Sequence, residues 1–198
     1  MTTHRGDDRA AIDEMIYTYA EAVDILGCNP VQPGQDDPAL PRAADLFRRC
    51  MDDSAAVRLY FQGPTSEPTH APSEGPERFA RFVRDYFISY GYIGTYHLAG
   101  NIRPAFTGPD TADVSSLINS THWMDDGRML LAPIIYRDQA RRAPDGTWKI
   151  ATRDLVVQRW WVTQGYFPSP TDPSLALPAA SRNGLADELG PPERASLG

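Results

Sequence analysis

The spacing of apolar residues predicts three helices in the first half of the chain. Between Asp8 and Asp24 apolar residues recur every three or four positions, as on one face of an amphipathic helix, and Gly27 is typical of a helix end. A second helix is expected over residues 42–51. A third is expected over residues 76–89, which begin with a proline and carry Phe and Val at helical spacing. Each predicted helix therefore has one apolar face available for a core.

After the third helix the hydrophobic pattern changes to a period of two. This alternation predicts four long strands, over residues 93–106, 112–124, 128–142 and 147–161. Turn-forming residues at 125–127 and 144–146 favour hairpins between them. A shorter strand is predicted over residues 55–61, between the second and third helices. Helices followed by a run of neighbouring strands indicate an α+β fold.

Two loops and a tail, all rich in turn-forming residues, interrupt these elements. Residues 28–41 and 64–76 are predicted to be loops, and the first is long enough to suggest a functional flap. From Thr163 the chain is dense in Pro, Ala, Ser and Gly. We therefore expect one domain over residues 1–162 and a C-terminal extension over residues 163–198.

The composition narrows the class of protein. The chain has 198 residues, of which 41% are hydrophobic and 23% charged, an ordinary balance for a globular protein. A formal net charge of −7 argues against binding to nucleic acid or to an anionic membrane surface, which need clustered Lys and Arg. We see no signal peptide and no apolar run of membrane-spanning length, so a cytoplasmic protein is expected. Cys28 and Cys50 fit no zinc motif and are expected to be free thiols, with a disulfide as the alternative.

Two residues are candidates for acid–base chemistry. Asp24 lies in the last turn of the first helix, where its charge opposes the helix dipole unless a cation or donor compensates; an exposed, inert Asp is the alternative. His97 lies within a predicted strand, and alternation puts Thr95, Ala99 and Asn101 on the same face. A lone strand histidine is usually structural, but a neighbouring carboxylate would make it a base.

Several residues of the chain recur in an order and spacing that a known superfamily shares. The pattern is Tyr19 and Asp24, then Thr95-x-His97-x-x-x-Asn101-x-Arg103, then Gly146-x-Trp148-Lys149-Ile150 with Arg153. It resembles the SnoaL-like branch of the NTF2-like superfamily over about residues 8–161. Hexachlorocyclohexane dehydrochlorinase, scytalone dehydratase and bile-acid 7α-dehydratase are the families it is similar to.

The resemblance implies a cone: a curved antiparallel sheet capped by N-terminal helices around a central pocket. It also implies an Asp–His dyad, which falls on Asp24 and His97. Members of this superfamily commonly dimerise through the sheet, so a homodimer or homotrimer is expected. The loop over residues 28–41 and the tail are longer than is usual in the family, so substrate identity does not transfer.

The function implied by the resemblance is that of a lyase needing no cofactor, with dehydration favoured over dehydrohalogenation. The substrate would be a small hydrophobic alcohol such as a terpenoid, steroid or polyketide-like molecule. His97 would remove a proton and Asp24 would hold the resulting imidazolium. Arg153 would stabilise a developing anion, or else form a salt bridge with Asp138 or Asp154. Tyr19 would donate to the leaving group, or else only pack in the core.

Three further residues are predicted to contact the substrate: Asn101, His122 and Trp160. No Gly-rich nucleotide loop or metal-ligand cluster stands out in the sequence, so no cofactor and no metal are expected. Two other functions stay open. One is an isomerase or cyclase that uses the same base without expelling a group. The other is a protein that only binds a small molecule or only dimerises.

Overall fold

A computed structural model describes residues 5–28, 31, 35–61, 68 and 73–163. Residues 29, 30 and 32–34 of the first predicted loop, and residues 64–67 and 69–72 of the second, lie outside the described residues. The predicted extension over residues 163–198 also lies outside them, apart from Thr163. In the described part of the chain no helix is both long enough and apolar enough to span a bilayer.

The three predicted helices are confirmed, with small changes at their ends. They are α1 (Arg5–Gly27), α2 (Ala39–Cys50) and α3 (Pro76–Ser89). The sequence pattern predicts that α2 begins at residue 42, because Pro41 is typical of the end of a loop. Proline is tolerated in the first turn of a helix, where its missing N–H would have no partner, and α2 therefore begins at Ala39.

The strands form one mixed, curled, open sheet, which confirms the predicted α+β cone. They are β1 (Met51–Phe61), β2 (Ser73–Glu74), β3 (Tyr92–Phe106), β4 (Thr111–Met124), β5 (Met129–Arg142), β6 (Trp148–Val157) and β7 (Trp161–Thr163). Their order is β2-β1-β6-β5-β4-β3, with β7 also paired to β5. All pairs are antiparallel except β1 and β6, which are parallel. The prediction of a wholly antiparallel sheet is wrong at that pair.

Two predicted strands have different bounds in the structure. The strand predicted over residues 55–61 begins at Met51. Its first residues include the polar Asp52 and Asp53, which interrupt the hydrophobic pattern on which the prediction depends. The strand predicted over residues 147–161 is broken at residues 158–160. There the Gln158 N–H donates to the Pro133 carbonyl at 2.9 Å, but proline has no N–H to donate in return.

The inner face of the sheet and the apolar faces of the helices enclose the core. In β4 every second residue from Ala112 to His122 is buried, and the residues between them are more exposed. Helix α1 lies along β3, which is an edge strand of the sheet. Side chains near both ends of α1 bond to the β3 backbone: Arg9 Nη2 donates to Ile102 O at 3.1 Å and Cys28 Sγ to Thr95 O at 3.2 Å. The end of α1, with Asp24, is thereby held against β3.

The two cysteines do not form a disulfide. Cys28 is an exposed free thiol and Cys50 is a buried one, as expected from the sequence.

Candidate active site

A cavity of about 400 Å³ lies between the helices and the inner face of the sheet. None of the described residues that line it is charged. Its walls are mainly aromatic, formed by Tyr19, Phe61, Phe79, Phe82, Tyr86, Phe87, Tyr90, Tyr92, Tyr136 and Trp160. The polar residues among the lining are His97, His122, Ser120 and the tyrosines, and a mainly apolar wall with a few polar groups is typical of small-molecule sites.

The structure brings Asp24 and His97 into direct contact at the edge of this cavity. Asp24 Oδ1 lies 2.7 Å from His97 Nδ1, and Oδ2 accepts the His97 backbone N–H at 3.1 Å. The His97 side chain is 5% exposed and that of Asp24 is 23% exposed. Both carboxylate oxygens therefore have donors, which compensates for the unfavourable position of Asp24 at the negative end of α1.

This contact determines the tautomer of His97. An ionised carboxylate only accepts hydrogen bonds, so Nδ1 carries the ring proton and donates it to Asp24. Nε2 then has a free lone pair. No described residue hydrogen-bonds to Nε2, and His97 lines the cavity. A ligand in the cavity can therefore meet a basic nitrogen whose ring is held by a carboxylate.

His122 lies beside His97 in the same cavity wall. The centres of the two imidazole rings are 5.4 Å apart, and His122 stacks on Tyr92 at 4.5 Å. Its Nδ1 lies 2.9 Å from the Thr95 hydroxyl. Burial, together with the nearby His97, lowers the pKa of His122 to about 3, so the ring is neutral at physiological pH. The structure thus places His122 where the sequence predicted it, in the pocket.

Arg153 is not placed for the role that the resemblance implied. Its side chain is fully buried and forms two hydrogen bonds of 2.7 Å to the Asp138 carboxylate. The guanidinium carbon lies 3.8 Å from the centre of the Tyr19 ring and 4.2 Å from that of Tyr136. Arg153 therefore packs on Tyr19 and Tyr136, which line the cavity, and is not itself a lining residue. Of the two salt bridges left open by the sequence, the one with Asp138 forms; Asp154 pairs with Arg58 at 2.6 Å.

The ring of Tyr19, rather than its hydroxyl, faces the cavity. The hydroxyl oxygen is buried and makes no hydrogen bond within the described part of the chain. Burial raises the pKa of Tyr19 well above its ordinary value, so the phenol stays protonated. In this arrangement Tyr19 serves as wall and packs on Arg153, and the structure does not present it as a proton donor.

Asn101 does not share the face of His97, so that prediction is wrong. Asn101 is exposed, has a φ of 50°, and is not among the residues that line the cavity. The register between β3 and β4 shifts between Gly100 and Arg103, which marks a bulge. The bulge turns Asn101 outward and buries Ile102 instead. Asparagine is among the residues that tolerate a positive φ.

Trp160 lines the cavity although it does not belong to a strand. It follows the end of β6, remains 42% exposed, and packs edge-on against Phe61 with ring centres 5.5 Å apart. Trp160 is thus a wall residue with one side in water.

Residues 41–154 match the SnoaL-like domain family. The chain is a member of this family. The matched segment makes up more than half of the chain and contains His97, while Asp24 precedes it. No curated protein sequence matches this SnoaL-like protein significantly.

Three solved structures have a fold similar to that of this chain. Hexachlorocyclohexane dehydrochlorinase LinA-type3 from Novosphingobium barchaimii is 17% identical, with a TM-score of 0.64 over 84% of this chain and 97% of that one. A putative scytalone dehydratase from Novosphingobium aromaticivorans is 18% identical, with a TM-score of 0.61 over 87% and 98%. The beta subunit of a putative aromatic-ring-hydroxylating dioxygenase from the same organism is 14% identical, with a TM-score of 0.56 over 79% and 93%. At these identities the likeness shows the fold alone.

Some wall residues of the SnoaL-like protein were not singled out from the sequence. Tyr86, Tyr92 and Tyr136 line the cavity, and the Thr95 hydroxyl connects to His122. Their helical or alternating spacing predicted burial. Residues that fill a solid core and residues that line a cavity show the same spacing of apolar positions in the sequence. Only the curvature of the sheet distinguishes the two cases.

Proposed function

We propose that this SnoaL-like protein is a cofactor-independent lyase of the dehydratase type. Its substrate is a small, hydrophobic, hydroxylated molecule that binds in the cavity. The observation that carries the proposal is the contact of 2.7 Å between Asp24 and His97 Nδ1, which leaves Nε2 as a base at an apolar cavity.

The chemistry follows from these two residues. His97 Nε2 takes a proton from a carbon next to the one that bears the hydroxyl group, and the C–H electrons form the new double bond. Asp24 stabilises the imidazolium that results. The hydroxide leaves with that proton as water, which returns His97 to its neutral form. A positioned base of this kind contributes about 10²–10⁴-fold to the rate.

The walls of the cavity favour a neutral substrate. A charged group in a cavity without charged lining residues would lose its hydration and find no partner, which is strongly unfavourable. The aromatic walls instead favour fused or cyclic apolar skeletons, such as terpenoids, steroids or polyketide-like molecules. An isomerase or cyclase would use the same base, and would differ only in retaining the hydroxyl group.

The alternative from another class is a protein that binds a ligand without turning it over. The apolar cavity alone would suffice for that function, and the fold also occurs in the beta subunit of a putative dioxygenase. The orientation of His97 by Asp24 favours catalysis, because binding an apolar ligand does not need a free base held in one tautomer.

The test combines turnover with ligand binding. Neutral cyclic alcohols are incubated with the protein and screened by mass spectrometry for loss of water, while binding is followed by tryptophan fluorescence. His97→Asn is expected to lower the rate of turnover by about 10²–10⁴-fold and leave ligand affinity within a few fold. Asp24→Asn should also lower the rate, whereas Asp113→Asn, which changes an exposed carboxylate on β4, serves as the matched control.

Two outcomes would count against the lyase. Binding of ligands by the wild-type protein with no loss of water would favour the binding protein. Turnover that survives His97→Asn at the wild-type rate would remove the dyad from the chemistry.

We also infer a homo-oligomer formed through the outer groove between α1 and β3. Tyr17, Tyr96 and Leu98 line this groove and are each about half exposed. The groove also carries Glu21 and Arg42, which pair with each other within the chain at 3.7 Å, so the exposed apolar side chains would carry a contact with a second copy about a two-fold axis. Sedimentation should show a dimer that Leu98→Lys dissociates; a wild-type monomer would contradict the inference.

A further inference from the structure

A buried arginine of α3 binds the end of α1. Arg84 is only 5% exposed, and its Nη1 donates to the Leu26 carbonyl oxygen at 2.6 Å. This carbonyl is one of the last four of α1, which have no N–H partner within the helix. Helix α1 has no basic residue in its own last turn, so Arg84 also supplies the positive charge that stabilises the negative end of the helix dipole. The end of α1 therefore depends on a residue 58 positions later in the chain.

The same guanidinium is paired with a carboxylate that precedes α2. Arg84 Nε lies 2.5 Å from Asp37 Oδ2, and the two side chains are 6% and 11% exposed. The other carboxylate oxygen, Oδ1, accepts the Ala39 N–H at 2.9 Å, where α2 begins. Arg84 thus connects the end of α1, the start of α2 and its own helix.

Asp24 lies in the turn of α1 that Arg84 binds. Its backbone carbonyl accepts the Cys28 N–H at 2.9 Å, and Leu26 lies within the turn that this hydrogen bond closes. Leu26 is fully buried, so loss of Arg84 would take a donor from a carbonyl oxygen that water does not reach, which is unfavourable. The turn would relieve this by moving, and the Asp24 carboxylate would move with it relative to His97.

We propose that Arg84 is a positioning residue for the dyad: by binding the last turn of α1 it holds the Asp24 carboxylate within hydrogen-bond distance of His97. Arg84 is not among the described residues that line the cavity, so its effect falls on the rate and not on ligand affinity. This inference rests on the proposed function and adds a residue outside the cavity to it. Because Asp37 shares the guanidinium, the segment before α2 is connected to the dyad through the same pair.

The first test is kinetic, with whichever neutral cyclic alcohol of the screen loses water fastest. Arg84→Met removes the charge and the donors but keeps a long side chain. A displacement of about 1 Å at a catalytic group costs up to about 10²-fold in rate, so kcat should fall about 10–100-fold while KM stays within a few fold. Arg84→Lys keeps the charge on a single ammonium instead of a fork, so its kcat should lie between those of Arg84→Met and wild type. Arg81→Met changes an exposed arginine of the same helix and is the matched control.

The second test needs no substrate. NMR of the ring nitrogens of His97 in the wild-type protein should show the proton on Nδ1, where Asp24 accepts it. In Arg84→Met the weakened contact should let both tautomers appear, and Arg84→Lys should restore the wild-type pattern in part. The chain has four histidines, so comparison with His97→Asn assigns the signals.

A double variant separates positioning from folding. Arg84→Met alone leaves Asp37 as a buried carboxylate without its cation, which is destabilising. Adding Asp37→Asn removes both charges, and the amide oxygen still accepts the Ala39 N–H. The urea midpoint should therefore be higher in the double variant than in Arg84→Met. Its kcat and its His97 tautomers should match those of Arg84→Met, because the Leu26 carbonyl still lacks its arginine. If Arg84→Met does not fold, the double variant carries both readouts.

Two results would overturn the positioning role. One is a folded Arg84→Met protein in which His97 keeps its proton on Nδ1 alone. The other is a double variant that regains the wild-type kcat and tautomer along with its stability, since Arg84 would then act only on the fold. The dehydratase fails differently: a wild-type protein that removes water from no neutral alcohol, although Arg84→Met mixes the His97 tautomers, would overturn the dehydratase and retain the positioning role.

Discussion

The close contact between Gly27 and Thr95 makes a sharp prediction about Gly27→Ala. An added Cβ at Gly27 would stand 1.9 Å from Thr95 Cγ2, 2.7 Å from Thr95 Cβ and 3.3 Å from Phe87 Cε2. Thr95 is buried and its hydroxyl is hydrogen-bonded to His122, so it cannot move aside freely. The end of α1 must therefore shift away from β3 to accept the methyl group.

The expected size of the effect follows from two opposing terms. Overpacking of this kind costs about 1–3 kcal/mol. Alanine gains up to about 1 kcal/mol over glycine in a helix. The contact of 1.9 Å lies far below any real Cβ contact, which puts the cost at the upper end of that range, so the net result is a loss of about 2 kcal/mol in the free energy of unfolding. In a protein of this size Tm falls by about 2–4 °C for each kcal/mol lost.

The assay is urea and thermal unfolding of four variants beside wild type: Gly27→Ala, Thr95→Ser, the double variant and Gly6→Ala. Gly6→Ala is the matched control, because it changes a glycine of the same helix whose added Cβ would meet nothing within 4 Å. It should leave stability unchanged or slightly raised. Adding Thr95→Ser to Gly27→Ala removes the contact of 1.9 Å and should restore part of the loss, a coupling that a double-mutant cycle measures. A Gly27→Ala protein as stable as Gly6→Ala would refute the reasoning.

Three further predictions concern other residues of the site. Asp138→Asn should cost about 3–5 kcal/mol in urea unfolding, since it leaves the buried Arg153 without a carboxylate; a loss below about 1 kcal/mol would contradict this. The lowered pKa of His122 means that, between pH 6.5 and 3, this ring binds a proton only in the unfolded chain, so stability falls as the pH falls. His122→Phe should remove a part of that slope equal to about 1.4 kcal/mol for each pH unit, measured by unfolding at several pH values; equal slopes would refute the assignment. Trp160→Phe should remove most of the fluorescence change on ligand binding, and an unchanged signal would place the ligand away from this wall.

The fold and the dyad were accessible from the sequence because they depend on periodicity and on residue order. The alternation of β3 put His97 on one face with Thr95, and the resemblance implied that this face lines the cavity. Helical spacing put Asp24 at the margin of the apolar face of α1. Their contact follows once the end of α1 lies along β3. The resemblance to the family added the curvature of the sheet, which periodicity cannot encode.

The errors in the predicted site come from bulges, which depend on backbone geometry that the residue pattern does not show. Near the turn between β5 and β6, Ala140 pairs with Ile150. If this register continued along the two strands, Arg153 would lie opposite Arg137. A register shift between Gln139 and Ala140 brings it opposite Asp138 instead, and the salt bridge forms. The bulge near Gly100 removed Asn101 from the pocket in the same way.

The position of Asp24 ties the proposed chemistry to the solubility of the protein. One of its oxygens holds an amide of β3, an outermost strand whose free backbone groups would otherwise invite pairing with another chain. A change from Asp24 to an apolar residue would thus release this amide as well as the imidazole, and invite aggregation. A different reaction at this cavity could evolve more easily through substitutions of its wall residues than through substitution of Asp24, because Asp24 also binds a backbone amide at the edge of the sheet.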